Sequence, residues 1–393
     1  MAKAAANSDP FHRIQFRQLR CLRCRFDCYR VERTSSRTGV APAEVQRLSR
    51  RAVTPIDQQK VSSDGKHSRE PPQKDLSDAT GSSLMARLTK GMDDVRSSYR
   101  KRLLAITSFL AFGASMVVVL LSLNAVLSRI PATDSLMKEA RKGTLSPSLV
   151  LVLDGVGFVA VLLLSALAAK IQRQSFRDYG LPLGEAFRKR FWQGLGWGFS
   201  LAFLVIGITH VLGGFSFGMV ALSPRAIVVY GVTWAISFVL VGLFEEFLYR
   251  GYALYTLSTG FGFWPAAVLL SALFAGLHLA NAGEGIIGAF DVMLYSVFAC
   301  FTLKRTGTLW FAVGLHAAWD FSLTFIYSVP GSGLHATGHL LSSRLHGAAW
   351  LTGGSAGPEG SAVGLVVLGL SFWLFPKLFP GSRLVGETSP PAE

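Results

Sequence analysis

The chain has 393 residues, of which 50% are hydrophobic and 16% charged, and its mean hydropathy is +0.38. Soluble domains carry about 25% charged residues, so this composition excludes an ordinary soluble globular protein. The apolar content also excludes a mainly disordered chain, and four cysteines in 393 residues exclude a disulfide scaffold. The composition therefore indicates a protein built from membrane helices.

The net charge of +15 is concentrated in the N-terminal part of the chain. Residues 1–102 contain 22 Lys and Arg and 11 Asp and Glu, a balance of 22 − 11 = +11, whereas the rest of the chain contributes 17 − 13 = +4. A basic segment of this kind suits the anionic cytoplasmic surface of a membrane. No nucleic-acid-binding motif accompanies the charge, so we expect no nucleic-acid partner.

Residues 1–98 are predicted to form a disordered basic tail. The stretch 34–83 is rich in Ser, Thr, Gln, Lys and Asp, a composition that cannot bury a core. The arginine-rich start has no signal-peptide pattern; it would fit an organellar targeting segment or translation from an upstream start codon. Met85 begins a plausible shorter chain, and the need for the residues before it stays open. The cysteines of the tail (Cys21, Cys24 and Cys28, with His12 as a fourth ligand) match no established metal-site spacing.

Apolar runs long enough to cross a bilayer, which takes about 20 residues each, follow from Leu103 onward. They predict an all-α fold, a polytopic membrane helix bundle that occupies residues 99–380 and is followed by a short C-terminal tail at 381–393. About eight spans are predicted: Leu103–Leu127, Ser148–Ala169, Phe191–Leu212, Ala226–Tyr252, Phe263–Ala280, Ile286–Lys304, Leu309–Tyr327 and Ser361–Phe379.

Lys and Arg near the spans predict that both termini of this integral, multi-pass protein face the cytoplasm. Basic residues cluster before the first span, between the second and third, and after the sixth, at Lys304 and Arg305. All of these loops lie on one side of the membrane in that topology. Four basic residues of the first loop contradict it in part: Arg129, Lys138, Arg141 and Lys142.

The fourth predicted span contains three charged residues, Glu245, Glu246 and Arg250. Charged side chains inside a membrane are costly and are usually functional. Glu246 and Arg250 are four residues apart, so they share a helix face and are predicted to pair. Glu245 lies about 100° round the helix and has no such partner, which leaves it available as a base. The alternative is a structural ion pair with a spare acid at a helix interface.

Two further spans carry polar groups that could join Glu245. His278 lies in the fifth span, and His316 and Asp320 share one helix face in the seventh. A rise of 1.5 Å per residue places Glu245, His316 and His278 at depths of about 13, 10–12 and 15–22 Å from one side of the membrane. A Glu, two His and an Asp that meet there are the parts of a hydrolytic site that activates water.

These three motifs, Glu245-Glu246-x-x-x-Arg250, Phe274-x-x-x-His278 and His316-x-x-x-Asp320, stand in order on three different spans. The pattern resembles the CAAX protease and bacteriocin-processing family, also called Abi or type II CAAX prenyl endopeptidase-like proteins. The resemblance covers about residues 190–330. It implies an all-helical intramembrane protease that cuts a peptide or lipidated protein at the membrane, with lipids as its surroundings.

The resemblance also implies roles for single residues. Glu245 would be the base that activates water, His278 would bind that water, and His316 and Asp320 would stabilise the oxyanion. Glu246 and Arg250 would hold the site in shape. The cofactor stays open: if the enzyme uses a divalent metal such as zinc, its expected ligands are Glu245, His278 and His316.

Two other classes of function remain as alternatives. A membrane scaffold or immunity protein would keep the motif helices without turnover, but the complete motif set favours an enzyme. A proton-coupled transporter would use Glu245 and the histidines as a relay, and it would be expected to show repeated membrane spans, which are not evident.

Several other polar residues are predicted to have structural roles and not catalytic ones. Asp154 and His210 are expected to make hydrogen bonds between helices, and Cys300 is expected to pack as a small hydrophobe. Asp291 stays unassigned. Three histidines are expected in a surface loop over 328–360: His335, His339 and His346.

Overall fold

The computed structural model describes residues 76–380, apart from 132, 134, 135, 137–143 and 282. The described chain divides into two compact units, with the division between Arg96 and Ser97 inside the first helix. The candidate site residues all belong to the unit that contains Ser97 and the chain after it. The clustered cysteines of the tail and the C-terminal segment 381–393 lie outside the described residues.

The first helix, α1, runs from Leu76 to Leu127. It begins well before Leu103, where the first span was predicted to start, and so overlaps the segment 1–98 that was predicted to form the tail. The reason lies in the local sequence: from Met85 to Arg102 there is no proline, and good helix formers such as Met, Arg, Leu and Lys predominate. The apolar helix therefore extends back into the basic segment without a break.

The rest of the fold is almost entirely helical, which confirms the predicted all-α class. The later helices are α2 (Pro147–Gln172), α3 (Lys189–Val211), α4 (Pro224–Arg250), α5 (Tyr252–Phe261), α6 (Phe263–His278), α7 (Ile286–Thr306), α8 (Trp310–Phe321), α9 (Ala349–Thr352) and α10 (Ala362–Leu378). Single helical turns lie at Leu183–Glu185, Ser322–Ile326, Gly354–Ala356 and Pro358–Gly360.

Two minimal strand pairs tie the connections together. β1 (Thr144–Leu145) pairs in parallel with β3 (His335–Ala336). β2 (Phe215–Ser216) pairs antiparallel with β4 (Arg344–Leu345). The segment after α8 is thereby fastened to the chain before α2 and after α3, so much of it is held in place and is not a free loop.

Each predicted span coincides with a helix, but eight spans are not confirmed. Within the described ranges, five helical stretches are long and apolar enough to cross a membrane: Arg87–Leu127, Pro147–Gln172, Lys189–Val211, Pro224–Phe261 and Ile286–Thr306. The apolar helices α6 and α10 are shorter. At 1.5 Å per residue, helices of 16 and 17 residues fall short of a hydrocarbon core about 30 Å thick.

Local sequence explains where two of the central helices begin. α2 and α4 each start at a Ser-Pro pair, Ser146-Pro147 and Ser223-Pro224. Each serine hydroxyl accepts a hydrogen bond from the backbone N–H three residues ahead, and proline fits the first helical turn because its missing N–H is not needed there. The start of α4 fixes the register of its charged residues.

Three glycines bring α8 unusually close to α3. A Cβ atom added to Gly194, Gly198 or Gly314 would lie 2.0, 2.4 or 2.2 Å from a backbone oxygen of the facing helix. No larger residue fits without separating the two helices, which is how small residues set membrane helix packing. Since α8 carries His316 and Asp320, this contact places both side chains.

Candidate active site

A cavity of about 500 Å³ opens inside the bundle. Its wall contains all four residues predicted to be catalytic: Glu245 of α4, His278 of α6, and His316 and Asp320 of α8. Apolar side chains from α2, α4, α7 and α10 form most of the remaining wall. A cavity of this size and composition is typical of a site for a small ligand or a peptide side chain.

Glu246 and Arg250 lie behind this wall as a buried pair. Glu246 is 0% exposed and Arg250 is 2% exposed, and Arg250 Nη1 lies 3.6 Å from Glu246 Oε2. The guanidinium also lies over the ring of Phe274, 4.6 Å from its centroid. The pairing within α4 is the one that the four-residue spacing predicts, and the contact of Arg250 with Phe274 joins α4 to α6.

The imidazole of His316 links the buried pair to the cavity. Its Nδ1 lies 2.9 Å from Glu246 Oε1. A carboxylate can only accept a hydrogen bond, so Nδ1 is the donor. The sequence linked Glu246 to Arg250 alone; its second contact, with His316, joins two helices and had no signal in the sequence.

The other ring nitrogen of His316 has two carboxylates beside it. Nε2 lies 3.7 Å from Glu245 Oε2 and 3.5 Å from Asp320 Oδ2. The side chains of Glu245 and Asp320 are 25% and 21% exposed, whereas Glu246 is fully buried. The two adjacent glutamates therefore have different surroundings: Glu245 can meet a ligand, and Glu246 fixes the ring.

His278 has its ring fixed from its own helix. Its Nδ1 lies 2.9 Å from the backbone oxygen of Phe274, and its ring packs against the Phe274 ring with centroids 4.4 Å apart. A carbonyl oxygen can only accept, so Nδ1 is the donor. In the neutral ring, Nε2 is then an acceptor, which suits a nitrogen that binds a water hydrogen.

The side chains do not fit a metal ion. In the described part of the chain, no three His, Cys, Asp or Glu side chains are placed to share one. The ligand set expected for a metal enzyme, Glu245, His278 and His316, is therefore not assembled in this part of the chain. No reaction step is assigned to a metal.

Three acidic residues to which the sequence assigned no catalytic role also line the cavity: Asp154, Asp291 and Glu359. Asp154 was expected to make a hydrogen bond between helices, but it makes none within the described residues. Glu359 falls in the segment expected to be a surface loop, yet it is only 8% exposed. That segment is rich in glycine, and its sequence pattern does not indicate that Glu359 faces the cavity.

The remaining polar residues have structural contacts. His210 Nδ1 donates to the backbone oxygen of Phe215, so its bond fastens α3 to β2 and does not join two helices. Cys300 is buried and unpaired, as expected of a small apolar residue. His335 is exposed in β3, and His339 and His346 lie in the same stretch of connecting chain.

Comparison with known families supports the class of protein that the fold and the cavity define, a peptidase embedded in a membrane. Residues 227–322 match the family model of type II CAAX prenyl endopeptidases described as Rce1-like. This stretch is therefore similar to Rce1-like type II CAAX prenyl endopeptidases, which confirms the resemblance given by the three motifs. No curated protein and no solved structure matches the chain.

Proposed function

We propose that this protein hydrolyses a peptide bond of a membrane-associated peptide or lipidated protein, using a water molecule activated by Glu245. The observation that carries the proposal is the position of His316. Buried Glu246 holds its Nδ1, while its Nε2 stands at the cavity beside Glu245 and Asp320. The peptidase family match over 227–322 supports the same reaction class.

In this mechanism Glu245 acts as the general base. It takes a proton from the attacking water as the water oxygen bonds to the peptide carbonyl carbon, and it then gives that proton to the leaving amine as the C–N bond breaks. His278 accepts a hydrogen bond from the same water through Nε2. Glu245 is suited to the role because it borders the cavity and forms no ion pair with an arginine among the described residues.

The tetrahedral intermediate needs hydrogen-bond donors for its negative oxygen. His316 supplies one through Nε2–H when the ring is charged, and the three nearby carboxylates balance that charge. Asp320 can donate only when it carries a proton, because an ionised carboxylate repels an oxyanion. Donors held by packing before the substrate arrives stabilise the transition state without reorganisation.

The proposal is tested by replacing the two neighbouring glutamates one at a time. Glu245→Gln keeps the volume but removes the base, so turnover is expected to fall by at least ~100-fold while the protein stays folded. Glu246→Gln leaves Arg250 buried without its countercharge, and breaking such a pair costs about 3–5 kcal/mol. That variant is expected to show lower thermal stability in detergent or poor yield.

Both variants are assayed at equal protein concentration on one membrane-anchored fluorogenic peptide, with Glu185→Gln as the control. Glu185 is exposed and is not one of the described residues that line the cavity, so its replacement is expected to change the charge alone. Near-normal cleavage by Glu245→Gln, together with a folded but inactive Glu246→Gln, would show that the roles are reversed. Normal cleavage by both variants would exclude this mechanism.

A further inference from the structure

The cavity wall is acidic beyond what hydrolysis requires. Among the described residues that line it, there are five carboxylates and no Lys or Arg: Asp154, Glu245, Asp291, Asp320 and Glu359. Glu245 and Asp320 belong to the proposed mechanism. Asp291 and Glu359 lie on α7 and just before α10, and the mechanism gives them no part.

Asp291 is a buried carboxylate with an unsatisfied oxygen. Its side chain lies at the cavity wall although the residue is only 6% exposed, and its Oδ1 has no hydrogen-bond partner within the described part of the chain. Its Oδ2 lies beside Gly364, since a Cβ atom added to that glycine would come within 3.1 Å of it. The first turn of α10 favours a negative charge there but supplies no ion pair.

Glu359 is held rigidly beside the same space. Trp319 Nε1 donates to its Oε1 at 2.7 Å, and the Ser332 hydroxyl donates to its Oε2 at 2.7 Å. The backbone N–H of Ser332 donates to Oε2 as well. These neutral donors fix the carboxylate in position without neutralising it, so its charge remains available to a ligand.

Buried carboxylates without a countercharge are costly, because the surroundings replace little of the solvation that water provides. A cation that enters with the substrate removes this cost. Three side chains placed to share a metal ion are absent from the described residues, so the cation expected here is organic. Apolar neighbours on the same wall, including Val292, Val367 and Leu368, suit the aliphatic part of a Lys or Arg side chain.

We propose that Asp291 and Glu359 form a cation subsite that receives the ammonium or guanidinium group of a Lys or Arg side chain close to the scissile bond of the peptide substrate. This inference rests on the proposed function, because it takes the occupant to be the peptide that the same cavity hydrolyses. The subsite gives the enzyme selectivity for basic sequences, and it lies on elements other than those that carry the proposed base.

The subsite is tested with membrane-anchored peptides that differ at one residue near the cleavage site: Lys, norleucine or Glu. The ratio of kcat/KM for the Lys peptide to that for the norleucine peptide is expected to be at least ~10 in the unaltered protein, and the Glu peptide is expected to be the poorest. Asp291→Asn is expected to bring the ratio close to 1. Glu359→Gln is expected to lower it, and Glu185→Gln is expected to leave it unchanged.

A second readout separates the subsite from catalysis. Binding of the labelled Lys peptide to the Glu245→Gln protein is measured by fluorescence anisotropy, in detergent without amine-bearing lipids, so that the peptide is the source of the ammonium group. The subsite is supported if the Lys peptide binds more tightly than the norleucine peptide and if this difference is lost in the protein that carries both Glu245→Gln and Asp291→Asn. Equal kcat/KM values for Lys and norleucine peptides would overturn it while leaving the peptidase intact. Failure of the unaltered protein to cleave any of the peptides would overturn the proposed function, and the subsite with it.

Discussion

His316 is the residue through which the buried and the accessible parts of the site are connected. One nitrogen contacts a glutamate that has no access to the cavity, and the other stands beside two acids that do. Tyr295 packs edge-on against the same ring, with centroids 5.5 Å apart. The ring is therefore fixed on several sides before any substrate binds, which is what a preorganised donor requires.

Two substitutions of Asp320 test whether its side chain donates a hydrogen bond to the oxyanion. If it donates a hydrogen bond to the oxyanion, Asp320→Asn keeps a donor of the same size and is expected to retain activity within about tenfold. Asp320→Leu removes the donor and is expected to lower kcat by ~100-fold or more, the effect of deleting one oxyanion donor. The rates of the unaltered protein and of both variants are compared at several pH values, because the carboxyl group of Asp320 can titrate whereas the amide of Asp320→Asn cannot. Complete loss of activity in Asp320→Asn would instead assign an ionic role to the carboxylate.

At this scale the sequence predicts contacts within one helix and misses those between helices. The Glu246–Arg250 and His316–Asp320 neighbours follow from a spacing of four residues. The bond from His316 to Glu246 crosses from α8 to α4, and no periodicity encodes it. The cavity position of Asp154 was missed for the same reason, because a lone acid in an apolar run does not reveal what it faces.

At the scale of elements, the contact between α3 and α8 controls the geometry of the site. The added Cβ of Gly198→Ala would lie 2.4 Å from the backbone oxygen of Leu315, next to His316 in the chain, whereas Gly196 of the same helix has open space around it. Gly198→Ala is expected to lower the thermal midpoint and the rate of peptide cleavage, because overpacking costs about 1–3 kcal/mol.

The matched variant Gly196→Ala gives the opposite expectation for stability. Alanine is the better helix former by up to ~1 kcal/mol, so this variant is expected to be as stable as the unaltered protein or slightly more so. Thermal unfolding in one detergent and cleavage of one peptide are measured for both variants. Equal behaviour of the two would show that the close approach of α3 and α8 is not needed.

The helices themselves were predictable because long apolar runs leave a membrane chain few other structures. Their lengths were less predictable. Hydropathy does not distinguish a helix from the apolar residues that follow it, so α6 ends at His278 although the apolar run continues to Ala280. The start of α1 was missed for the converse reason: a polar sequence without proline can extend a membrane helix.

At the scale of the whole molecule, a chain that begins at Met85 is expected to insert into membranes and to cleave peptide as the full chain does. All the predicted spans and all the cavity residues follow Met85, and the basic residues from Arg87 to Arg102 that favour a cytoplasmic N-terminus are retained. Insertion is measured by carbonate extraction, and orientation by protease accessibility of the N-terminus.

The control is a chain that begins at Leu103, which lacks those basic residues and is expected to insert with mixed orientation. If the chain from Met85 fails to insert, the segment before it has a role that its composition does not indicate. If both shortened chains behave identically, the basic residues do not set the topology.

The hydrogen bonds of Glu359 to Trp319 and Ser332 have a consequence for how such an enzyme can diversify. The groups proposed to break the peptide bond all fall within 227–322, and so do Asp291 and Trp319. Glu359 and α10 follow that stretch, and Asp154 precedes it. Substitutions at Glu359 or in α10 can therefore alter part of the proposed cation subsite without changing any group that is proposed to break the peptide bond. Related proteases could thus come to accept different substrate sequences without passing through an inactive form.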